Sequence, residues 1–159
     1  MSGDSATTPA HYSQTLIDAG MLLLRQGNSN AAEQLFQQSI RRDPSPDGYY
    51  DLGVVYEEQG QSSQALRQYQ LAIRADPRFA SALYNEAVII ASRNPQQAIS
   101  LYHRVIAIQP GSPSAFFNLG LLEVKANDDT QAVRDLREAV RLSPGLSSKV
   151  PTPLRAQVR

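Results

Sequence analysis

The chain of 159 residues contains no cysteine, so it has neither disulfides nor thiolate metal ligands, and cysteine usage leaves its redox compartment open. Net charge is also missing. Fifteen Lys and Arg balance fifteen Asp and Glu at a pI near 6.7, leaving no global field to draw in nucleic acid or an anionic membrane. No apolar run approaches the roughly 18 residues of a membrane span, which argues against direct membrane insertion. Histidine is scarce: His11 and His103 lie far apart without a ligand-spaced companion, so each reads as a surface residue. There is no phosphate-cradling glycine loop, no nucleophile and base in recognisable context and no metal-ligand spacing, so an enzyme, a metal site and a cofactor are not expected. Residues 1–10 are small and polar with no basic start and no apolar run, and read as a flexible segment rather than a signal peptide. The expected location is cytoplasmic; the alternative is the soluble domain of a membrane-anchored or larger protein.

What the chain does contain is one pattern written four times. Its second copy is clearest: Tyr49, Leu52, Gly53 and Tyr56, then Ala65 and Tyr69, closed by Pro77. A shift of 33 residues toward the N-terminus aligns Gly20, Gly27, Ala32, Phe36 and Pro44 with Gly53, Gly60, Ala65, Tyr69 and Pro77. A shift of 33 forward gives Ala98, Tyr102 and Pro110, and a further 34 gives Ala132, Leu136 and Pro144. A fixed period in this range marks a solenoid rather than a single globular core.

Apolar residues at three- and four-residue intervals, broken by turn formers, predict two amphipathic helices per copy. First helices are expected at about 11–26, 46–59, 79–92 and 113–126, and second helices at about 29–42, 62–75, 95–108 and 129–142. Asn28 with Ser29, Ser62, Asn94 before Pro95, and Asp128 with Asp129 supply capping chemistry, and Pro44, Pro77, Pro110 and Pro144 set the ends. Gly20, Gly53, Ala87 and Gly120 recur inside first helices, where glycine costs about 1 kcal/mol against alanine. Close packing against second helices, with Phe36, Tyr69, Tyr102 and Leu136 filling the gaps, is the compensating gain expected.

This spacing of a large residue, Leu, Gly and an aromatic, then Ala, an aromatic and Pro, resembles the tetratricopeptide repeat over about residues 13–144. The resemblance implies an all-α, right-handed α-solenoid of stacked antiparallel helix pairs. Residues 11–144 then form one domain with repeats at about 13–44, 46–77, 80–110 and 113–144, followed by a tail at 145–159. It further implies a non-enzymatic interaction module or adaptor in which first helices line a concave groove that holds a peptide or helix of a partner. Turning one residue on from the packing stripe places Ile17, Asp18 and Met21, Tyr50, Asp51 and Val54, Tyr84, Asn85 and Val88, and Phe117, Asn118 and Leu121 on that groove, with Leu24, Glu57, Ala91 and Val124 continuing it. Tyr50, Tyr84 and Phe117 read as aromatic anchors, and Asp18, Asp51, Asn85 and Asn118 as hydrogen-bonding groups between them. The family's carboxylate clamp is lacking: Ile17, Met21, Asp51 and Ser81 stand where it needs cationic or amide groups.

First helices carry Asp18, Asp47, Asp51, Glu57, Glu58, Glu86 and Glu123 against Arg25, Arg93 and Lys125, so the expected partner is a protein or peptide segment that is apolar with some positive charge. The alternative is a self-assembling scaffold, a homo-oligomer joined through the array ends. Three features depart from the pattern. The third copy is one residue shorter in its turn; Glu86 stands in an apolar slot, either with an Arg partner or on a slightly rotated helix; and Glu123 fits the solvated edge of a last repeat. In the tail, Leu146, Val150, Leu154 and Val158 either lie along the last helix or leave an apolar edge open to another copy or a further domain.

Overall fold

The computed structural model describes residues 8–158, which form helices and turns with no strand among them. The expected flexible segment lies mostly outside these residues, and the first helix starts two residues earlier than the periodicity placed it. Eight helices run α1 (Pro9–Arg25), α2 (Ser29–Arg42), α3 (Pro46–Glu58), α4 (Ser62–Ala75), α5 (Ala80–Ile90), α6 (Pro95–Ile108), α7 (Pro113–Lys125) and α8 (Asp129–Leu142). Every predicted helix is present, and the starts of the second helices coincide with prediction. The chain divides into two compact units, Met1–Ala82 and Leu83–Arg159.

Local chemistry explains the boundaries. Thr8, Ser45 and Ser112 cap α1, α3 and α7 by accepting from the N–H of His11, Gly48 and Ala115, and a proline follows each in the first turn. Asn28, Asn94 and Asp128 cap α2, α6 and α8 in the same way. Ser62 does not act as a cap. It is the first residue of α4, whose N-cap Gln61 makes no side-chain capping bond. Second helices end two residues before their prolines, at Arg42, Ala75, Ile108 and Leu142, and the C-caps Asp43, Asp76, Gln109 and Ser143 leave helical geometry because proline drives out the residue before it.

The turns inside copies one, two and four share one device. Gly27 (φ 76°), Gly60 (φ 73°) and Asn127 (φ 60°) adopt the left-handed conformation. In each, the next N–H reaches back five residues: Asn28 to Leu23 O, Gln61 to Tyr56 O and Asp128 to Glu123 O, at 2.9, 2.7 and 2.9 Å. The third copy is a residue short and lacks this closure; Arg93 and Asn94 both return to Ile90 O.

In the first unit α1 packs on α2, α3 on α4 and α2 on α3. The interior glycines are where second helices press in. A Cβ on Gly20 would stand 2.7 Å from the Phe36 ring, and one on Gly53 would stand 2.5 Å from the Tyr69 ring. Phe36, Tyr69, Ala32 and Ala65 are fully buried. Ser13 and Ser39 are buried and exchange hydrogen bonds, each hydroxyl donating to the other's carbonyl, which ties α1 to α2. Glu33 of α2 gathers donors from Tyr56 Oη of α3 and Gln59 Nε2 at its C-cap, at 3.3 and 3.0 Å.

In the second unit α7 packs on both α6 and α8, and a Cβ on Gly120 would meet Leu136 at 2.7 Å. Of the four apolar residues of the tail, three pack on α8, and Leu146, half-buried, is not among them. Two 3-10 turns, η1 (Pro144–Lys149) and η2 (Thr152–Leu154), bring Val150, Leu154 and Val158 into one buried cluster with Ala132 and Leu136. The apolar edge is therefore covered. Val150 and Leu154 follow Leu83 and Ala87 by 67 residues, two repeat periods, so the tail holds the register of a further first helix while Pro151 and Pro153 keep it from forming one.

Candidate functional site

Within the first unit, Tyr50 sits half-buried against two rings, 5.6 Å from Tyr69 and 5.3 Å from Phe79. Much of its face is thus spent on packing. Ile17 is buried at 8% exposure, Met21 and Val54 are half-buried, and Asp18 is exposed and receives the Gln14 amide at 3.0 Å. Asp51 is half-buried. Burial, then the nearby charge of Asp47, raises its carboxyl to about 6.

Within the second unit, α5 supplies Tyr84, Asn85 and Val88, and α7 supplies Phe117, Asn118 and Leu121. Tyr84 meets Tyr102 edge to face at 5.7 Å. Asn118 Nδ2 donates to both hydroxyls, Tyr84 Oη at 2.9 Å and Tyr102 Oη at 3.2 Å. Burial raises the Tyr102 hydroxyl to about 12, so it stays neutral. With both N–H groups committed inward, what Asn118 offers a ligand is its Oδ1, an acceptor.

Beside it lies a cavity of about 200 Å³ lined by Val88, Ala91, Tyr102, Asn118, Leu121, Leu122 and Lys125. Val88 is 44% exposed, one of three large apolar side chains left open to solvent among the described residues. Four of the predicted residues, Val88, Ala91, Asn118 and Leu121, share this cavity, whereas Tyr84, Asn85 and Phe117 do not line it. The sequence reading missed Tyr102, Leu122 and Lys125. Yet Asn118, Leu121, Leu122 and Lys125 fall at i, i+3, i+4 and i+7, so one helix face already joined them.

The charge expected along the first helices is redistributed. Glu86 and Glu123 are buried, at 5% and 6% exposure. The remaining five acids, Asp18, Asp47, Asp51, Glu57 and Glu58, all belong to the first unit, while α7 presents Lys125. Glu57 is itself engaged, accepting from the Tyr69 hydroxyl. Glu123 is not the solvated edge residue that a last repeat suggested. It lies beside Asp135 of α8, itself 3% exposed, a neighbouring carboxyl that favours the protonated form of Glu123. Desolvation first, then the charge of Asp135, raises Glu123 to about 7. Arg134 holds Asp135 from outside at 3.0 Å, and Glu123 Oε2 is buried without a partner.

The repeat that sequence and packing describe matches the tetratricopeptide repeat profile at residues 17–78, 50–94 and 90–147. The chain belongs to the tetratricopeptide repeat family. No curated protein matches it. Solved structures with the tetratricopeptide fold do. MamA is 24% identical, with 86% of this chain and 81% of that one covered at a TM-score of 0.75. YrrB, described as a tetratricopeptide protein with an unusual peptide-binding site, is 21% identical over 91% of this chain and 72% of its own, at 0.70. The first tetratricopeptide domain of Spaghetti (RPAP3), bound to the HSP90 peptide SRMEEVD, is 17% identical over 77% of this chain and 99% of its own, also at 0.70. Among the described residues no helix is long and apolar enough to cross a membrane.

Proposed function

We propose that this chain is a non-enzymatic interaction module that binds a segment of another protein along the exposed face of its first helices. The observation that carries this reading is the cavity in the second unit, where an exposed Val88, Ala91, Leu121 and Leu122 line a space with Asn118, whose amide nitrogen is committed to two tyrosine hydroxyls and leaves its Oδ1 as the group to accept from a ligand. An aliphatic side chain fills such a space, and the backbone N–H beside it reaches Asn118 Oδ1, which is how an extended peptide is held with little demand on its sequence. In the first unit Asp18 and Asp51 offer carboxylates, so positive charge on the partner belongs there and not beside Lys125. Peptide binding in YrrB and RPAP3, as their descriptions state, supports the same use of this fold. A contact of this size buries under about 1,200 Å² and points to micromolar affinity, about 8 kcal/mol.

Val88→Arg tests the reading, because the substitution plugs the cavity from an exposed position and leaves the core alone. Calorimetry with a captured partner should show at least tenfold weaker binding; unchanged affinity removes the cavity from the site. Self-association through the C-terminal edge loses its footing because the tail covers that edge, and what supports it now is Leu22 of α1, 55% exposed. Sedimentation of Leu22→Ser against the parent chain separates that second reading from the first.

A further inference from the structure

The tail is the least regular part of the second unit and among its most deeply buried. Val150, Leu154 and Val158 are 1%, 6% and 2% exposed, and Phe117, Leu121 and Val124 of α7 pack against the cluster they form with α8. Those three α7 residues follow one another at four and three positions, on the helix face that the repeat pattern assigned to partner binding. Leu121 belongs to both regions, since it also lines the open cavity beside Val88. The tail therefore covers the edge of α7 and α8 on which a further first helix would stack, with Val133 and Val140 of α8 also against it, and it takes up three positions of the face the repeat pattern assigned to a partner.

The fastening is light. Among the described residues one hydrogen bond joins side chain and backbone between α8 and the tail, from Arg137 Nη2 to Gln157 O at 2.7 Å. Arg155 spends its guanidinium within the tail, on the carbonyls of Val150 and Ser148. Two 3-10 turns supply little of the cooperative backbone ladder of an α-helix, and segments of this kind open locally at lower cost than the helices they cover. The seat, by contrast, is rigid, built from α7 and α8 around the tight Gly120–Leu136 contact.

The geometry points to residues 150–158 as a displaceable, self-supplied ligand: a partner segment with aliphatic side chains at the same four-residue spacing binds the fourth repeat by taking their place. This deepens the proposed function and rests on the first-helix face being the binding surface. The tail itself defines the chemistry to look for, namely aliphatic residues at i, i+4 and i+8 with a basic residue beside the second.

The probe is a fluorescein-labelled synthetic peptide of residues 144–159, followed by anisotropy against the full chain and against a full chain carrying Val150→Asp, Leu154→Asp and Val158→Asp to release its own tail. The released variant should bind the peptide with micromolar affinity, at least tenfold tighter than the parent, and adding Phe117→Ala should cost about tenfold. A folded variant that ignores the peptide, or equal binding to both chains, overturns the proposal. Should the variant fail to fold, hydrogen exchange of the parent decides. Exchange of the Leu154, Arg155 and Gln157 amides at least a hundredfold faster than the α8 core supports a tail that leaves alone; exchange together with α8 makes it inseparable from the fold and overturns the proposal. Loss of partner binding in Val88→Arg combined with no binding of the tail peptide would sink only this inference and leave the proposed function standing.

Discussion

Gly53→Ala is the substitution in which two physical effects oppose each other most clearly. An alanine in a helix interior is favoured over glycine by about 1 kcal/mol, so propensity alone predicts a more stable protein. The structure predicts the reverse. The new methyl would stand 2.5 Å from Tyr69 Cε1, 2.8 Å from Cδ1 and 3.1 Å from Cζ, well inside contact distance. The ring has no easy escape, since Tyr69 is fully buried, its hydroxyl donates to Glu57, and Tyr50 lies 5.6 Å from it on another side. Overpacking of this kind costs about 1–3 kcal/mol, and a clash with a pinned aromatic belongs in the upper part of that range. The expected net loss is about 1–2 kcal/mol, or a fall in melting temperature of about 3–8 °C for a chain of this size. Urea denaturation followed by circular dichroism at 222 nm measures it. In the Tyr69→Ala background the clash is gone, and the same substitution should become stabilising by about 1 kcal/mol. Stabilisation by Gly53→Ala in the parent chain, or equal effects in both backgrounds, would refute the explanation of the repeat glycine.

Other outcomes follow from the same structure. Gly60→Ala meets no atom within 4 Å but forces φ +73° on an L residue, so a loss of about 1 kcal/mol should come from the backbone alone and be recovered by Gly60→Asn in large part. Ser39→Ala removes one of two reciprocal buried bonds between α1 and α2 and should cost about 1–2 kcal/mol in the same denaturation assay. Glu123, raised from 4.5 to about 7, holds its proton in the folded chain and loses it in the unfolded one between these values. Its contribution is therefore fully present below about pH 4.5 and lost as pH rises toward 7. Glu123→Gln should be more stable than the parent by about 1–2 kcal/mol at pH 7.5, after allowance for solvent screening, and close to it at pH 4.5; a difference independent of pH would contradict a raised Glu123 carboxyl.

Much of the fold was legible because the repeat states it four times. A proline two residues past each second helix, a left-handed turn residue in three copies and a small residue opposite a large one are local signals that do not depend on tertiary context. The corrections lie where context decides. Glu123 looked like an edge residue by position, yet the fourth pair of helices is covered by the tail and Asp135 stands opposite, which only packing reveals. Ser62 has capping chemistry but falls one residue inside α4. The tail carried a readable signal, Val150, Leu154 and Val158 at four-residue spacing in register with Leu83, Ala87 and Ala91, which its prolines obscured. For the candidate site, helix phase put Val88, Ala91, Asn118 and Leu121 on one face, and all four line the cavity. It could not show that Tyr50 and Tyr84 spend much of their rings on Tyr69, Phe79 and Tyr102, because those partners come from other elements.

The measurement that bears most directly on binding through the first helices is photo-crosslinking from position 88. A benzoylphenylalanine placed at Val88 in the full chain, irradiated in a lysate of the cells that make it, should give a discrete protein adduct that the same group at Arg104 on α6 does not. Fragment mapping should then place an aliphatic segment of that protein against α5 and α7. No adduct from position 88, or the same adducts from both positions, would mean that this face is not where the protein meets its partner.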